Sequence, residues 1–422
     1  MKSKTMKALW ISILFSAVSI ASSKLTFHGD KVFRIKLQTE EHAAYIQNLA
    51  EKIKMDFWHP ESADRVVPQI EADIHVNAND SEAIRHLLGQ NYIEHEVLFH
   101  NLQEAIDAQL DYRMKKKSKK HSYTNYNDWE TIANWTCKIV SKFPKIASRL
   151  EIGNTYEGRG MYVLKIGNPT AKRAIFVDCG IHAREWISPA YCQWLVKELT
   201  SGYSKDYRTK ELLKKITFYI LPVFNIDGYV YSWTEDRMWR KNRSPNKNGD
   251  CIGTDLNRNF NSSWGEIGSS DSPCSEIYCG SSAESERETR NVANFIRSRA
   301  ESIKAYISFH SYSQMLLYPY GYTYVPPPNA KELKKIAKGA VSELRSLFGT
   351  TYKYGSSSKT IYPTSGGSDD WAYDLGIKYS FVFELRDKGK HGFLLPESQI
   401  TETCTETMLA VRYIADYVLT RL

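Results

Sequence analysis

The chain is poor in the features that mark non-globular or membrane proteins. Its 422 residues include only 7 cysteines, 14 prolines and 23 glycines. That excludes a disulfide-dense mini-protein, a collagen-like repeat and a wholly disordered chain. Internal repeats and low-complexity tracts are absent. The longest apolar run, Ala8 to Ala21, falls short of the roughly 20 residues that span a bilayer, so a polytopic membrane protein is excluded. Histidine is scarce where it would matter: beyond residue 113 only His121, His182, His310 and His391 occur. What is present is ordinary folding material. Hydrophobic residues make up 42% and charged residues 25%, enough for a large core. The 13% aromatics can also line clefts.

The apolar run has a recognisable context. Lys2, Lys4 and Lys7 precede it, and the small residues Ser19, Ala21, Ser22 and Ser23 close it. A basic start, an apolar middle and a small-residue exit read as a secretory signal peptide over residues 1–23. The implied location is secreted, extracellular or in a secretory granule. Charge then divides the rest. Residues 24–113 carry nine Lys/Arg against sixteen Asp/Glu, a net of −7, and residues 114–422 carry 44 against 32, a net of +12. Blocks of opposite sign attract. The basic surface would also suit heparin-like polyanions. Nucleic acid is not expected behind a signal peptide, nor is membrane insertion, and a monomer is expected.

The acidic block reads as a small α+β domain, an antiparallel sheet with helices on one face. Period-two alternation gives strands at 32–37, 72–76 and 92–98. Helices are expected from Glu41 to Ile53, from a cap at Asp80-Ser81 through Leu88, and from Leu102 to Leu110. Arg113, Lys115, Lys116, Lys117, Lys119 and Lys120 follow. Like charges this dense favour an exposed segment, a target for a trypsin-like protease. The large block has α/β grammar. Buried strands are expected at 174–178, 216–224, 303–309 and 379–383, and helices at 189–199, 286–299 and 402–419. This predicts a mixed, mostly parallel twisted sheet covered on both faces, with ligands gathered beyond the strands' carboxyl ends.

Three of those ends carry unusual polar groups: His182-Ala-Arg184-Glu185-Trp, His310-Ser-Tyr312 and Glu384-Leu-Arg386-Asp. A His and a Glu three residues apart on a tight turn can face one point. A second His from a neighbouring strand end would complete a His-Glu-His site suited to zinc. Spacing alone leaves open that these are core residues.

Those segments occur in order with Arg237-Met-Trp-Arg240-Lys, Asp255-Leu-Asn257-Arg258-Asn, Ile361-Tyr362 and Phe383-Glu384. Together they resemble the zinc metallocarboxypeptidases of the A/B type, over essentially everything after the signal peptide. The resemblance implies the zinc carboxypeptidase fold, an activation prodomain over 24–113 and a catalytic domain over 114–422. It implies one Zn²⁺ held by His182, Glu185 and His310, with Asp255 on the ring N–H of His182. Glu384 would be the general base and Arg240 the donor to the developing oxyanion. Asn257, Arg258 and Tyr362 would hold the substrate's terminal carboxylate, and Arg184, Arg237 and Tyr312 would line remoter subsites. Substrates would be peptide and protein C-termini. Activation would follow a cut at Arg113 or a nearby lysine. Glu61 or Asp64 would pair with Arg258 in the zymogen.

A-type relatives have an apolar residue at the base of the side-chain pocket and B-type relatives have Asp. Here it is Asp369, which implies a preference for C-terminal Lys or Arg. Asp370 is shared by both types. Ser357 and Gly321 fall where the types vary. By the same resemblance Cys179 pairs with Cys192 and Cys251 with Cys274, leaving Cys137, Cys279 and Cys404. Sequons stand at Asn79, Asn134, Asn242 and Asn261, with Asn242 too close to Arg240 to suit a glycan. The competing readings are an A-type mast-cell granule enzyme and a non-catalytic, glycan-bound granule protein.

Overall fold

The computed structural model describes residues 24–114, 120–246, 249 and 251–421. The signal-peptide reading, and Lys115, Lys116, Lys117 and Lys119 of the basic run, lie outside the described residues. Among the described residues the strands form two sheets. The acidic block builds the first from β1 (Lys31–Leu37), β2 (Met55–His59), β3 (Ile70–Val76) and β4 (Glu94–Phe99), all antiparallel in the order β2-β3-β1-β4.

Alternation gives this sheet two working faces. Phe33, Ile35, Leu37, Phe57, Ala72, Ile74 and Val76 pack against the helices Glu40–Ala50 and Ala78–Gln90. The opposite face carries Val32, Arg34, Asp56, Trp58, Asp73 and His75. Val32 and Trp58 there join Met238, Tyr312, Phe393 and Leu394 of the large block in one apolar cluster. The first helix is capped by Thr39. The second begins earlier than expected, at Ala78, because the Asn77 side chain accepts the Asp80 N–H at 3.1 Å. β4 starts at Glu94 rather than Tyr92, since Tyr92 takes a left-handed φ of 53° in the turn closing that helix. The connecting helix runs on from Leu102 to Met114. Arg113 therefore lies in its last turn, not beyond it.

The large block's sheet comprises β5 (Ala147–Asn154), β6 (Gly160–Ile166), β7 (Arg173–Cys179), β8 (Ile216–Leu221), β9 (Ile303–Ser311), β10 (Met315–Tyr318), β11 (Lys353–Ser356) and β12 (Tyr379–Leu385). Their order is β11-β10-β12-β9-β7-β8-β6-β5. The central strands β12, β9, β7 and β8 are parallel, β10 and β11 are parallel to each other, and the remaining pairs are antiparallel. From Ala174 to Cys179 every residue of β7 is buried, so both faces are covered. β8 stops at Leu221 because Asn225 caps the next helix, Ile226–Thr234. Two disulfides are formed, Cys179–Cys192 and Cys251–Cys274. The first ties the end of β7 to the helix Ile187–Lys205. Cys137 is exposed and unpaired; Cys279 and Cys404 are buried and unpaired. No helix among the described residues is long and apolar enough to cross a membrane.

Candidate active site

Parallel alignment of β7, β9 and β12 brings three carboxyl ends together. Register sets Glu384 of β12 opposite His310 of β9. The chain leaving β7 turns at His182 and Glu185. The His182 Nδ1 lies 2.7 Å from Glu185 Oε1 and 3.2 Å from His310 Nδ1, which is 3.4 Å from Glu185 Oε2. One ligand atom from each residue lies within 4.8 Å of the others, and all three side chains are buried.

The outer ring nitrogens already have partners. His182 Nε2 meets Asp255 Oδ1 at 3.2 Å, and His310 Nε2 meets the Ser308 hydroxyl at 3.1 Å. Ser308 donates onward to Asp178 Oδ1 at 2.7 Å. With each outer N–H so engaged, the inner Nδ1 atoms present lone pairs to one another and to a carboxylate. That arrangement fits a cation, and nitrogen and oxygen donors in this set suit zinc. Ser308 is absent from the sequence reading. It sits two residues before His310 on the same strand face, and that spacing was the available signal.

Asp255 also receives Arg240, whose Nε and Nη2 donate to Oδ2 at 3.2 and 2.9 Å. Burial alone would raise the Asp255 pKa, but the Arg240, His182 and Arg258 charges hold it well below the usual carboxylate range. Arg258 is fixed by two carbonyls: Nε donates to Gly268 O at 2.8 Å and Nη1 to Asn257 O at 3.1 Å. Asn257 Oδ1 accepts the Ser368 N–H at 3.0 Å, and Phe260 N–H donates to Gly366 O at 3.1 Å. Gly366 has a φ of +69°, and a Cβ there would strike the Arg258 carbonyl oxygen. Glycine thus lets the loop lie flat on Arg258 and carry Asp369 into the cleft.

A pocket lined by His182, His310, Asn257, Arg258, Tyr362 and Glu384 continues to Leu317, Ser357, Val382 and Asp369. Burial, then the charges of Glu185 and Glu61, raise Glu384 well above the ordinary range. Arg386 does not serve it. That guanidinium turns to Glu406, at 2.7 and 2.5 Å, and to Glu402 at 2.8 Å. Asp369 is 7% exposed and accepts at 3.4 Å from the Ser357 hydroxyl. Burial raises its pKa. Asp370 is tied to the backbone N–H groups of Gly321, at 3.0 and 2.8 Å, and of Tyr322, at 3.1 Å.

The acidic block reaches into this cleft. Glu61, just past β2, puts Oε1 2.8 Å from Arg240 Nη2 and pairs through Oε2 with Arg258 Nη2. Asp64 does not; it pairs with Arg65 at 3.3 Å. Asp56 receives Arg184 Nη1 at 2.8 and 3.0 Å, and Asp73 accepts the Tyr312 hydroxyl at 2.6 Å. Arg237, expected to line a remoter subsite, is engaged by three acceptors in the closed cleft. It donates to Gln109 Oε1 at 3.0 Å and to the carbonyls of Arg184 and Phe393 at 2.9 and 2.8 Å. Its guanidinium lies 3.7 Å over the Trp186 ring, and burial lowers its pKa to about 9. The two carbonyls belong to loops of the large block, whereas Gln109 belongs to the helix Leu102–Met114 of the acidic block.

Comparison with known proteins agrees with this geometry. A carboxypeptidase activation peptide model matches residues 33–109, and a zinc carboxypeptidase model matches residues 132–410. The chain belongs to the zinc carboxypeptidases. It is 53% identical to carboxypeptidase B of Bos taurus over 418 residues, covering 99% of this chain and 100% of that one. It is 52% identical to mast cell carboxypeptidase A of Mus musculus over 412 residues, covering 97% and 98%. Among solved structures, thrombin activatable fibrinolysis inhibitor superposes with a TM-score of 0.89 at 43% identity, covering 94% of this chain and 100% of that one. The protein is a zinc-dependent metallocarboxypeptidase made as a zymogen, with one zinc per chain, and it acts on peptide C-termini. The expected fold, a mixed sheet preceded by an antiparallel activation domain, is the one found.

Proposed function

We propose that this zinc carboxypeptidase is of the B type and removes C-terminal lysine and arginine. Overall identity does not divide the types, since B-type and mast-cell A-type relatives match almost equally. The observation that carries the reading is Asp369. A carboxylate buried in a pocket with apolar walls, Leu317 and Val382, and with no ion pair among the described residues is costly until a cation joins it. A basic substrate side chain supplies that cation.

On this reading His182, Glu185 and His310 hold the zinc, and Asp255 and Ser308 orient the two rings. Zinc, when bound, supplies Lewis-acid chemistry and acidifies water. Glu384 accepts a proton from water and delivers it to the leaving amine. Arg240, held by Asp255, donates to the developing oxyanion. Losing such a donor costs ~10²–10³ in rate. Arg258 presents its fork to the terminal carboxylate, with Asn257 and Tyr362 beside it. Arg184 and Tyr312 become available to a longer peptide once Asp56 and Asp73 leave.

Residues 24–113 act as the activation domain, with Glu61 occupying the place of the substrate carboxylate. A trypsin-like protease frees the cleft by cutting at Arg113 or an adjoining lysine, after the last helical turn opens. The basic start of the chain and its disulfides support secretion, to the extracellular space or a granule. The basic catalytic domain supports retention by heparin-like polyanions, and the enzyme acts as a monomer. The test compares kcat/KM of the trypsin-activated protein on hippuryl-Arg and hippuryl-Phe. Preference for arginine is expected, reversed by Asp369→Ile with zinc still bound. Preference for phenylalanine in the wild type would make it A-type.

A further inference from the structure

Within the basic-residue specificity proposed above, on which this inference rests, the floor of the pocket distinguishes two cations. Ser357 opens the short helix Ser357–Thr360 directly after β11. Its side chain is buried at 6% exposure, with Oγ 3.4 Å from Asp369 Oδ2 and 3.3 Å from the Tyr318 carbonyl. A hydroxyl has one hydrogen and two lone pairs. Whichever acceptor takes the hydrogen, Oγ still faces the pocket as an acceptor. Asp370 adds nothing there, because three contacts from the Gly321 and Tyr322 N–H groups occupy it. Gly321 contributes no side chain, and a Cβ at that position would come within 2.9 Å of Thr364 Oγ1 and 3.2 Å of Asp370 Oδ2. Leu317 and Val382 are apolar walls.

We infer that Ser357 turns the Asp369 pocket toward lysine over arginine. An ammonium directs three donors tetrahedrally and can bond a carboxylate oxygen and a hydroxyl lying to one side. A guanidinium seeks both carboxylate oxygens in one plane. Here the Ser357 hydroxyl stands 3.4 Å from one of those oxygens, where it competes with one arm of the guanidinium fork and offers an ammonium a second acceptor.

The experiment measures kcat/KM on hippuryl-Lys and hippuryl-Arg for trypsin-activated wild type, Ser357→Ala and Ser357→Gly. A hydrogen bond to a charged group is worth about tenfold or more, so the lysine-to-arginine ratio should fall roughly tenfold in both variants. Ser357→Thr keeps the hydroxyl and should keep the ratio. Free lysine and free arginine, used as competitive inhibitors, should shift in the same sense, which reads binding apart from turnover. A ratio between two substrates is insensitive to general damage to the fold. An unchanged ratio in both the Ala and Gly variants, with basic substrates still preferred to hippuryl-Phe, would overturn the role of Ser357 alone. A wild-type preference for hippuryl-Phe would overturn the B-type reading and this inference with it.

Discussion

Replacing Glu61 by alanine should partly switch on the uncut zymogen. In the closed cleft its carboxylate joins Arg240 at 2.8 Å and also pairs with Arg258, and both guanidinium groups are nearly inaccessible. Burial alone would raise the Glu61 pKa, yet the charges of Arg240 and Arg258 pull it far below the ordinary value. Removing one partner of a buried, hydrogen-bonded charge pair costs ~3–5 kcal/mol. The lower figure corresponds to about two powers of ten in an equilibrium constant. The open fraction of the zymogen should therefore rise about a hundredfold. The assay is hippuryl-Arg hydrolysis by protease-free zymogen, normalised to the same preparation after trypsin. Once cut and freed of the activation domain, wild type and Glu61→Ala should be identical. Glu61→Asp, one methylene too short to span both arginines, should fall between. If the uncut Glu61→Ala protein were as silent as wild type, Glu61 would not be the latch. The sign of the pH effect follows from the lowered pKa. The latch is fully present above the ordinary carboxylate range and fails only as pH falls through the much lower value in the closed state, so the zymogen should stay silent at pH 5.

Three further outcomes are expected. Burial opposes charge on His75, but its 2.9 Å hydrogen bond to Asp30 and the Asp56 carboxylate 3.8 Å away outweigh this and raise its pKa to about 9. Its stabilising contribution, at most about 3 kcal/mol, is complete below pH 6.5 and lost as pH rises through about 9. The zymogen Tm should fall across that window, and the fall should vanish in His75→Gln. Dialysis against 1,10-phenanthroline should abolish peptidase activity and zinc should restore it; full activity in a sample shown metal-free by elemental analysis would refute the His182/Glu185/His310 site. Mass spectrometry should find no glycan on Asn242, which is fully buried with its amide donating to Glu286 at 2.7 Å, whereas Asn79, Asn134 and Asn261 are exposed.

What the sequence discloses depends on how a segment is buried. β7, β8, β9 and β12 read directly as apolar runs because parallel strands are covered on both faces. β5 and β6 do not, since Arg149, Glu151 and Lys165 interrupt them at a half-exposed edge. The helix Ala330–Phe348 goes unassigned although Leu333, Ile336, Ala337, Ala340 and Leu344 are buried at helical spacing. Two of the six buried residues on that stripe are alanine, and four lysines dominate the outer face. β2 is too short for alternation to register. At the site, His182 and Glu185 share a turn and are visible as a pair. Their partner His310 lies 128 residues from His182 and meets them only because β7 and β9 are neighbours. Local spacing holds no such information, so the family resemblance had to provide it. Arg237 is the reverse case: its chemistry suits a substrate, but in the closed cleft Gln109 and the carbonyls of Arg184 and Phe393 already take its donors, which local sequence does not show.

The net charges of −7 and +12 give the right sign for docking but the wrong picture of its physics. Few of the sixteen acids in residues 24–113 touch the cleft. Glu82 and Glu94 pair within the block, with Lys31 and Lys36. Contact is carried by Glu61, Asp56 and Asp73, on or beside the sheet face opposite the helices. Trp58 is inserted among them, its ring centroid 5.1 Å from that of Phe393. These pairs are enclosed, and enclosed pairs are screened far less than surface charges, for which the Debye length is about 3 Å at 1 M salt. The apolar cluster around Trp58 strengthens in salting-out conditions. The two pictures therefore predict opposite outcomes. If diffuse attraction held the domains together, 1 M sodium chloride would release the activation domain and the uncut zymogen would gain activity. If enclosed pairs and the Trp58 cluster hold it, hippuryl-Arg hydrolysis by the uncut zymogen should stay at its low-salt level, while the trypsin-cut enzyme remains active in the same buffer. A rise of tenfold or more in the uncut protein at 1 M salt would refute the enclosed latch.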